Sequence, residues 1–118
     1  MPLSSFVETV ALGAGAWAKL PPALQQTFIN NAPTYLDEAR DPETLAFDLA
    51  WIGSFTRPSL LTAGDQSPPT FAPVIGKLAA VLPNVTVATF PGASHIPHVT
   101  HADAYVEAVT TFIRNHPA

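Results

Sequence analysis

The stretch RPSLLTAGD, residues 57–65, holds the first of two short apolar runs that decide the fold. Its apolar part, residues 59–63, ends in a glycine and an acid, as a buried strand does. A second run, rich in β-branched residues, covers residues 85–90 within NVTVATFP and also predicts a strand. Between the two runs, apolar residues recur at helical spacing: Phe71, Val74, Ile75, Leu78 and Leu82. A strand, a helix and a strand within about thirty residues predict a parallel βαβ unit.

A closing helix is predicted directly after this unit. The segment DAYVEAVTTFI, residues 103–113, places Tyr105, Val109 and Phe112 on one helical stripe. The first half of the chain instead contains residues that typically begin and end short helices. The sequence therefore predicts an α/β fold with a helical N-terminal half and a parallel βαβ-α unit. Composition changes near residue 56, and we place the boundary between the two parts there, within one compact domain.

The first predicted helix begins at a capping box. Ser5 and Glu8 have the required spacing, which predicts a helix over residues 6–12 that the GAG at 13–15 would end. A second helix is predicted over ALQQTFINNA, residues 23–32, which follows two prolines.

A further helix is predicted from an aspartate followed by a proline. Asp41 and Pro42 are of the types preferred at the N-cap and at the first helical position. This helix would end at Gly53 and would pair apolar side chains four residues apart: Leu45 with Leu49 and Phe47 with Trp51.

Length and composition limit the classes of function. With 118 residues and 47% hydrophobic content, the chain is long enough for one domain and too short to expect two. Nine acidic residues against five basic ones give a net charge of -4, which repels phosphate backbones and anionic lipid surfaces. We therefore expect neither nucleic acid nor a membrane as a partner. The N-terminal stretch has no basic region typical of a secretory signal, so a cytoplasmic location is expected.

Two polar residues directly follow the predicted strands. Asp65 lies just past the first strand and His95 just past the second. Because ligands and catalytic groups gather beyond the carboxyl ends of parallel strands, we expect both residues at the same rim of the sheet.

At these residues the chain resembles the C-terminal part of an α/β-hydrolase. The similarity covers roughly residues 56–115 and lies in the order and spacing of four segments: RPSLLTAGDQSP, LAAVLPN, VTVATFPGASH and YVEAVTTFI. The resemblance implies a partial α/β-hydrolase fold, with residues 56–118 as the last strands and helices and residues 1–55 as a helical lid-like segment. It also implies that His95, in the PGASHIPH loop, is the general base in hydrolysis of a small apolar ester or related acyl substrate, with no cofactor. The family also includes dehalogenases, epoxide hydrolases and cofactor-free peroxidases, so these residues leave the reaction class open.

The chain departs from the family pattern in two respects. It contains no G-x-S-x-G motif, the strand-to-helix elbow that carries the serine nucleophile of the family. We expect that serine on a missing segment or on another chain, because Ser67 and Ser94 do not lie in such an elbow. The usual position of the family's acid is occupied by Ser67. Asp65 is therefore a candidate orienting acid for His95, and an ordinary turn residue is the alternative.

A metal site formed by three histidines is a competing interpretation of the same loop. His95, His98 and His101 recur every three residues, and imidazoles suit zinc, copper or nickel. Pro97 prevents a regular helix there, and this spacing spreads side chains over a wide arc. We therefore predict no metal site, with His98 and His101 facing solvent or lying near an N-cap.

The predicted sheet has an open edge. A two-stranded sheet is marginal alone, and the strand at residues 59–63 has no charge or internal proline to protect its edge. We expect it to pair with a second copy, giving a homo-oligomer, or with a chain supplying the missing strands. A non-catalytic fragment that oligomerises or binds a small apolar ligand is the alternative to the hydrolase.

Overall fold

The computed structural model describes residues 2–44 and 46–117, without the side chain of Ala11. The described residues fall into two compact units, of which the first ends at Phe47 and the second begins at Asp48. Helices occur in both units and two parallel strands in the second, so the chain belongs to the α/β class. No helix within the described ranges is long and apolar enough to cross a membrane.

The first unit begins with helix α1, Leu3–Phe6, which continues into a π-helical segment, Val7–Leu12. The predicted capping box is wrong, because Ser5 lies inside α1 rather than before it. The Glu8 carboxylate accepts the Trp17 N–H at 3.2 Å. It is therefore engaged by a residue beyond the helix and does not reach back to its start.

The long helix α2, Pro22–Arg40, follows a 3₁₀ turn at Trp17–Lys19. It begins at Pro22, one residue before the predicted start, since the N–H that proline lacks is unpaired in a first turn anyway. It extends beyond ALQQTFINNA and contains Pro33, which removes one internal hydrogen bond. Two aromatic contacts connect α2 to the preceding segments: Phe6 with Tyr35 at 5.0 Å and Trp17 with Phe28 at 6.2 Å between ring centroids.

The second unit begins with the short helix α3, Leu49–Gly53, whose N-cap is Asp48. The Asp48 carboxylate accepts the N–H groups of Ala50 at 2.8 Å and Trp51 at 3.1 Å. These bonds satisfy two of the backbone donors that a helix leaves unpaired in its first turn. The helix ends at Gly53, as predicted.

The predicted helix start at residues 41–42 is wrong. The Asp41 carboxylate accepts the Glu43 N–H at 2.9 Å, and residues 42–44 form a turn. Aspartate favours such turns because its side chain bonds to the backbone two residues later. Phe47 therefore precedes the helix instead of pairing within it. The other predicted pair includes Leu45, which lies outside the described residues.

The predicted parallel βαβ unit is confirmed. Strands β1, Ser59–Gly64, and β2, Val85–Phe90, pair in parallel, with Gly64 opposite Phe90 at their ends. Helix α4, Phe71–Val81, connects the strands and packs on both of them, and α3 packs on α4. Helix α3 lies within residues 1–55, the predicted lid-like segment, but it packs on α4 and belongs to the second unit.

Two helices follow β2. α5, Pro97–Thr100, has a proline at its first position, and α6, Ala102–Asn115, packs against β2. The predicted closing helix is confirmed. The prediction that Pro97 prevents a regular helix through the three histidines is confirmed, because α5 begins only at Pro97 and His95 lies before it. A proline is tolerated there because the first turn needs no N–H from it.

Glycine is required at the end of β1 by a close approach between backbones. A Cβ atom on Gly64 would collide with the carbonyl oxygens of Ala93 and Ser94. Gly64 and Ala93 are both buried, so the space between them is already filled. The end of β1 therefore lies directly against the loop that leads to His95.

Substitution of this glycine tests the close approach. We expect Gly64→Ala to lower the free energy of unfolding by about 1–3 kcal/mol, the usual cost of inserting a group into filled space, as measured by urea unfolding. Gly76→Ala is the matched control, because nothing lies within 4 Å of a Cβ built at Gly76 in α4 and alanine is the better helix former. Equal stability of Gly64→Ala and the wild type would contradict this packing.

Candidate functional site

Each strand ends in a tight turn at the same edge of the sheet. After β1, the Ser67 N–H donates to the Gly64 carbonyl at 3.2 Å. After β2, the Ala93 N–H donates to the Phe90 carbonyl at 3.2 Å. This second turn contains a proline followed by Gly92, whose φ is 74°, as a type II turn requires.

Three hydrogen bonds join the two turns. The Gly92 N–H donates to Asp65 Oδ1 at 2.7 Å. The Asp65 N–H donates to the Phe90 carbonyl at 3.2 Å, and the Gln66 N–H donates to the Ala93 carbonyl at 2.9 Å. The loops that follow β1 and β2 therefore meet at one edge of the sheet, as the sequence predicts.

The imidazole of His95 lies flat against Phe71, the first residue of α4. The two ring centroids are 3.8 Å apart and the ring planes differ by 15°. His95 is exposed, and among the described residues the hydrogen bonds to histidine rings are made by His101 and His116, not by His95. The orientation of the His95 ring therefore comes from aromatic stacking.

The Asp65 carboxylate contacts the backbone of the neighbouring loop. Its Oδ1 accepts the Gly92 N–H, and no hydrogen bond joins Asp65 to His95 among the residues that the structure describes. A bond of this kind is the local role expected of an aspartate in a turn. The role of Asp65 as the orienting acid stays a prediction, for which Oδ2 is the available oxygen.

A pocket of about 160 Å³ lies at this edge of the sheet, which is roughly the volume of five water molecules. Apolar and polar side chains share its wall, among them Ser67, Phe71, Ile75, His95, Pro97 and Tyr105. A neighbouring cavity of about 240 Å³ also contacts Phe71 and Ile75 and includes Asp65. Asp65 and His95 therefore border adjacent cavities that share a wall.

The other two histidines of the metal hypothesis differ in position. His98 lines the same pocket as His95, whereas His101 is not among the residues of its wall. His98 meets Tyr105 edge-on, with ring centroids 5.8 Å apart, and His101 Nδ1 lies 2.8 Å from the Thr100 hydroxyl. His101 is also the residue before α6. Across residues 2–44 and 46–117, no group of three or more histidine, aspartate or glutamate side chains is arranged to hold a metal ion.

Phe71 and Tyr105 are site residues that helical periodicity alone does not identify. Both belong to apolar stripes on helices, where aromatic side chains usually form core. The signal for Phe71 is its position as the first residue of the helix after β1. Because that helix begins near the carboxyl end of a parallel strand, its first residues lie at the edge where ligands gather.

No protein-family model, curated protein or solved structure matches this chain. We therefore infer the chemistry of the pocket from the side chains that line it. An imidazole with both nitrogens unbonded can accept and return a proton. The apolar wall suits a small hydrocarbon group, as in most small-molecule sites.

Two substitutions of Asp65 separate its hydrogen bond from its charge. Asparagine keeps an Oδ1 acceptor for the Gly92 N–H, so we expect Asp65→Asn to unfold within about 0.5 kcal/mol of the wild type. Alanine removes the acceptor, so Asp65→Ala should lose about 1 kcal/mol, as for a typical hydrogen bond. Urea unfolding measures both variants. Equal losses would show that the charge, and not the bond to Gly92, carries the stabilisation.

Proposed function

We propose that the chain is part of an α/β-hydrolase-like protein that hydrolyses small apolar carboxylic esters, with His95 as the general base. The observation that carries the proposal is the position of the His95 imidazole. It borders a pocket at the carboxyl ends of two parallel strands, where folds of this class gather catalytic groups. The order of the segments from RPSLLTAGD to the closing helix supports the same assignment.

His95 would transfer the proton of the attacking nucleophile. In ester hydrolysis the imidazole removes a hydroxyl proton as the oxygen attacks the carbonyl carbon, and then gives that proton to the leaving alcohol. The stacked arrangement is compatible with this, because Phe71 covers a face of the ring whereas both nitrogens lie in the ring plane. Asp65 is proposed as the orienting acid, through Oδ2.

The serine nucleophile is proposed to lie outside these 118 residues, on the same polypeptide or on another chain. The motif G-x-S-x-G does not occur in the sequence. Ser67 borders the pocket, but it belongs to a tight turn followed by Pro68 and not to a strand-to-helix elbow. In these residues alone, His95 can still act on a water molecule that attacks an activated ester.

The size of the pocket limits the proposed substrate. A volume of about 160 Å³ holds roughly five water molecules, and an acyl group of a few carbons fills it. Phe71 and Ile75 supply the apolar wall for that group. We therefore propose acetyl and other short acyl esters in preference to long-chain ones.

Binding without catalysis is the second candidate function. It is favoured by the observation that Asp65 bonds to Gly92 and not to His95, together with the absence of the elbow motif from the sequence. In this case the same pocket holds a small apolar ligand, and the chain acts as a binding or oligomerising module.

The open edge of β1 is proposed as the site of a partner strand. The Ser59 N–H donates to the carbonyl of Asn84, the residue before β2, and the Asp65 N–H donates to the carbonyl of Phe90, the last residue of β2. Alternate residues of a parallel strand point their backbone groups the other way, so Leu60 and Thr62 present theirs at the open edge. We propose that a second copy of the chain, or a chain that supplies further strands, pairs there.

Hydrolysis of p-nitrophenyl acetate by the purified chain is the central test. We expect His95→Ala to lower the rate by about 10²-fold, the lower end of the range for general-base catalysis. His116→Ala is the matched control, because His116 contacts Phe112 and does not line the pocket. The wild type should also act more slowly on p-nitrophenyl octanoate than on the acetate.

Two results of this experiment would count against the hydrolase. Equal rates for His95→Ala and the wild type would remove His95 from the mechanism. If the wild type shows no turnover but p-nitrophenyl acetate shifts the NMR signals of pocket residues, the binding function replaces the hydrolase.

Substitution of Leu60 on β1 by proline tests whether a partner strand pairs at the open edge. Leu60→Pro removes an outward N–H without removing a bond to β2, so the sheet within the chain tolerates it. We expect it to weaken self-association about tenfold, which corresponds to roughly 1.4 kcal/mol, in sedimentation equilibrium. Val87→Pro is the matched control, because by the same alternation its N–H points to the far edge of β2. A compact monomer of the wild type at high concentration would contradict pairing of this edge with a second copy of the chain.

A further inference from the structure

The His95 ring has one described contact that restricts its rotation. The torsion that turns an imidazole about its attachment bond is broad and roughly two-fold, so an exposed ring without hydrogen bonds samples several orientations. The stack on Phe71, at 3.8 Å and 15°, selects one plane. The nitrogens then point in fixed directions, although no described residue bonds to them.

The position of Phe71 is fixed by a backbone hydrogen bond and by its place in helix α4. Its N–H donates to the Pro68 carbonyl at 3.1 Å, and its side chain is half-buried. It is also the first residue of α4, a helix that packs on both strands of the sheet. The aromatic face against His95 is therefore anchored to the same sheet as the loop that carries His95.

The stack also has an electrostatic consequence. The face of an aromatic ring carries negative charge density and attracts a cation placed over it. An imidazole that takes a proton becomes such a cation. In a catalytic triad a carboxylate provides this attraction and fixes the ring, whereas here the Asp65 Oδ1 atom is bonded to the Gly92 N–H.

We propose that Phe71 is a positioning residue for His95, whose ring fixes the imidazole plane and attracts the charge that forms during proton transfer. The inference rests on the proposed function, since it assigns Phe71 a part in the action of His95 as a base. It goes beyond that function because it adds an aromatic side chain to the groups that orient the imidazole, beside the proposed acid Asp65.

Proton NMR of the histidine rings tests the stack directly. Ring protons that lie over a neighbouring aromatic face are shifted upfield by its ring current. We expect the His95 ring protons of the wild type to be shifted in this way, to lose the shift in Phe71→Leu and to keep it in Phe71→Tyr. Phe112→Leu is the matched control, because Phe112 lies 4.4 Å from His116 at a tilt of 39°. That variant should move only the His116 signals.

The rate of p-nitrophenyl acetate hydrolysis tests whether Phe71 assists His95 in catalysis. Leucine keeps an apolar wall but has no aromatic face, so Phe71→Leu should lower kcat about two- to fivefold, the equivalent of one exposed cation–π contact, with KM little changed. Phe112→Leu should retain the wild-type kcat, because Phe112 does not line the pocket. Phe71→Tyr keeps an aromatic face and should therefore lower kcat less than Phe71→Leu does. If Phe71→Leu does not fold, as judged by circular dichroism, Phe71→Met provides the same comparison.

The outcomes separate this inference from the proposed function. His95 signals that do not move in Phe71→Leu, or a kcat equal to that of the wild type, would overturn the positioning role and leave the hydrolase in place. Absence of turnover in the wild type, with His95 signals that do respond to Phe71→Leu, would overturn the hydrolase and reduce the stack to a structural contact.

Discussion

The parallel pairing of β1 with β2 is the constraint on which the candidate site depends. Because Gly64 and Phe90 lie opposite each other at the ends of two strands with the same direction, both following loops leave the sheet at one edge. The absence of a side chain on Gly64 lets those loops touch. The bond between Asp65 and Gly92 then holds them together. An antiparallel pair would have placed the two loops at opposite ends of the sheet.

Burial within the second unit is concentrated beneath this site. All of its buried residues within the described ranges lie at the carboxyl edge of the sheet: Gly64, Phe90, Ala93 and Pro97. Elsewhere in the unit, several apolar side chains on α3, α4 and α6 remain exposed. The pocket therefore lies beside the best-packed region of the second unit.

Periodicity and turn residues predict the second half of the fold well, because the strands alternate with a helix whose apolar spacing is regular. They fail at Asp41 and Asp48, since both precede apolar residues and only tertiary packing decides which aspartate caps the helix. The position of Asp65 and His95 at one edge of the sheet follows from the parallel direction of the two strands alone. The bond from Asp65 to Gly92 does not, because it joins residues distant in sequence. The stack on Phe71 likewise depends on side-chain rotamers that no spacing encodes.

The register of the sheet also determines when this site can exist during folding. Ser59 pairs with Val85, so the first backbone bond of the sheet must close a long loop before any cross-strand energy is gained. Helices such as α2 and α6 contain only short-range bonds and form without that delay. On a ribosome the two halves of the pocket would be synthesised seconds apart. The pocket can therefore form only after both strands have been synthesised and paired, and until then the edge of β1 that β2 covers in the folded unit lacks its partner.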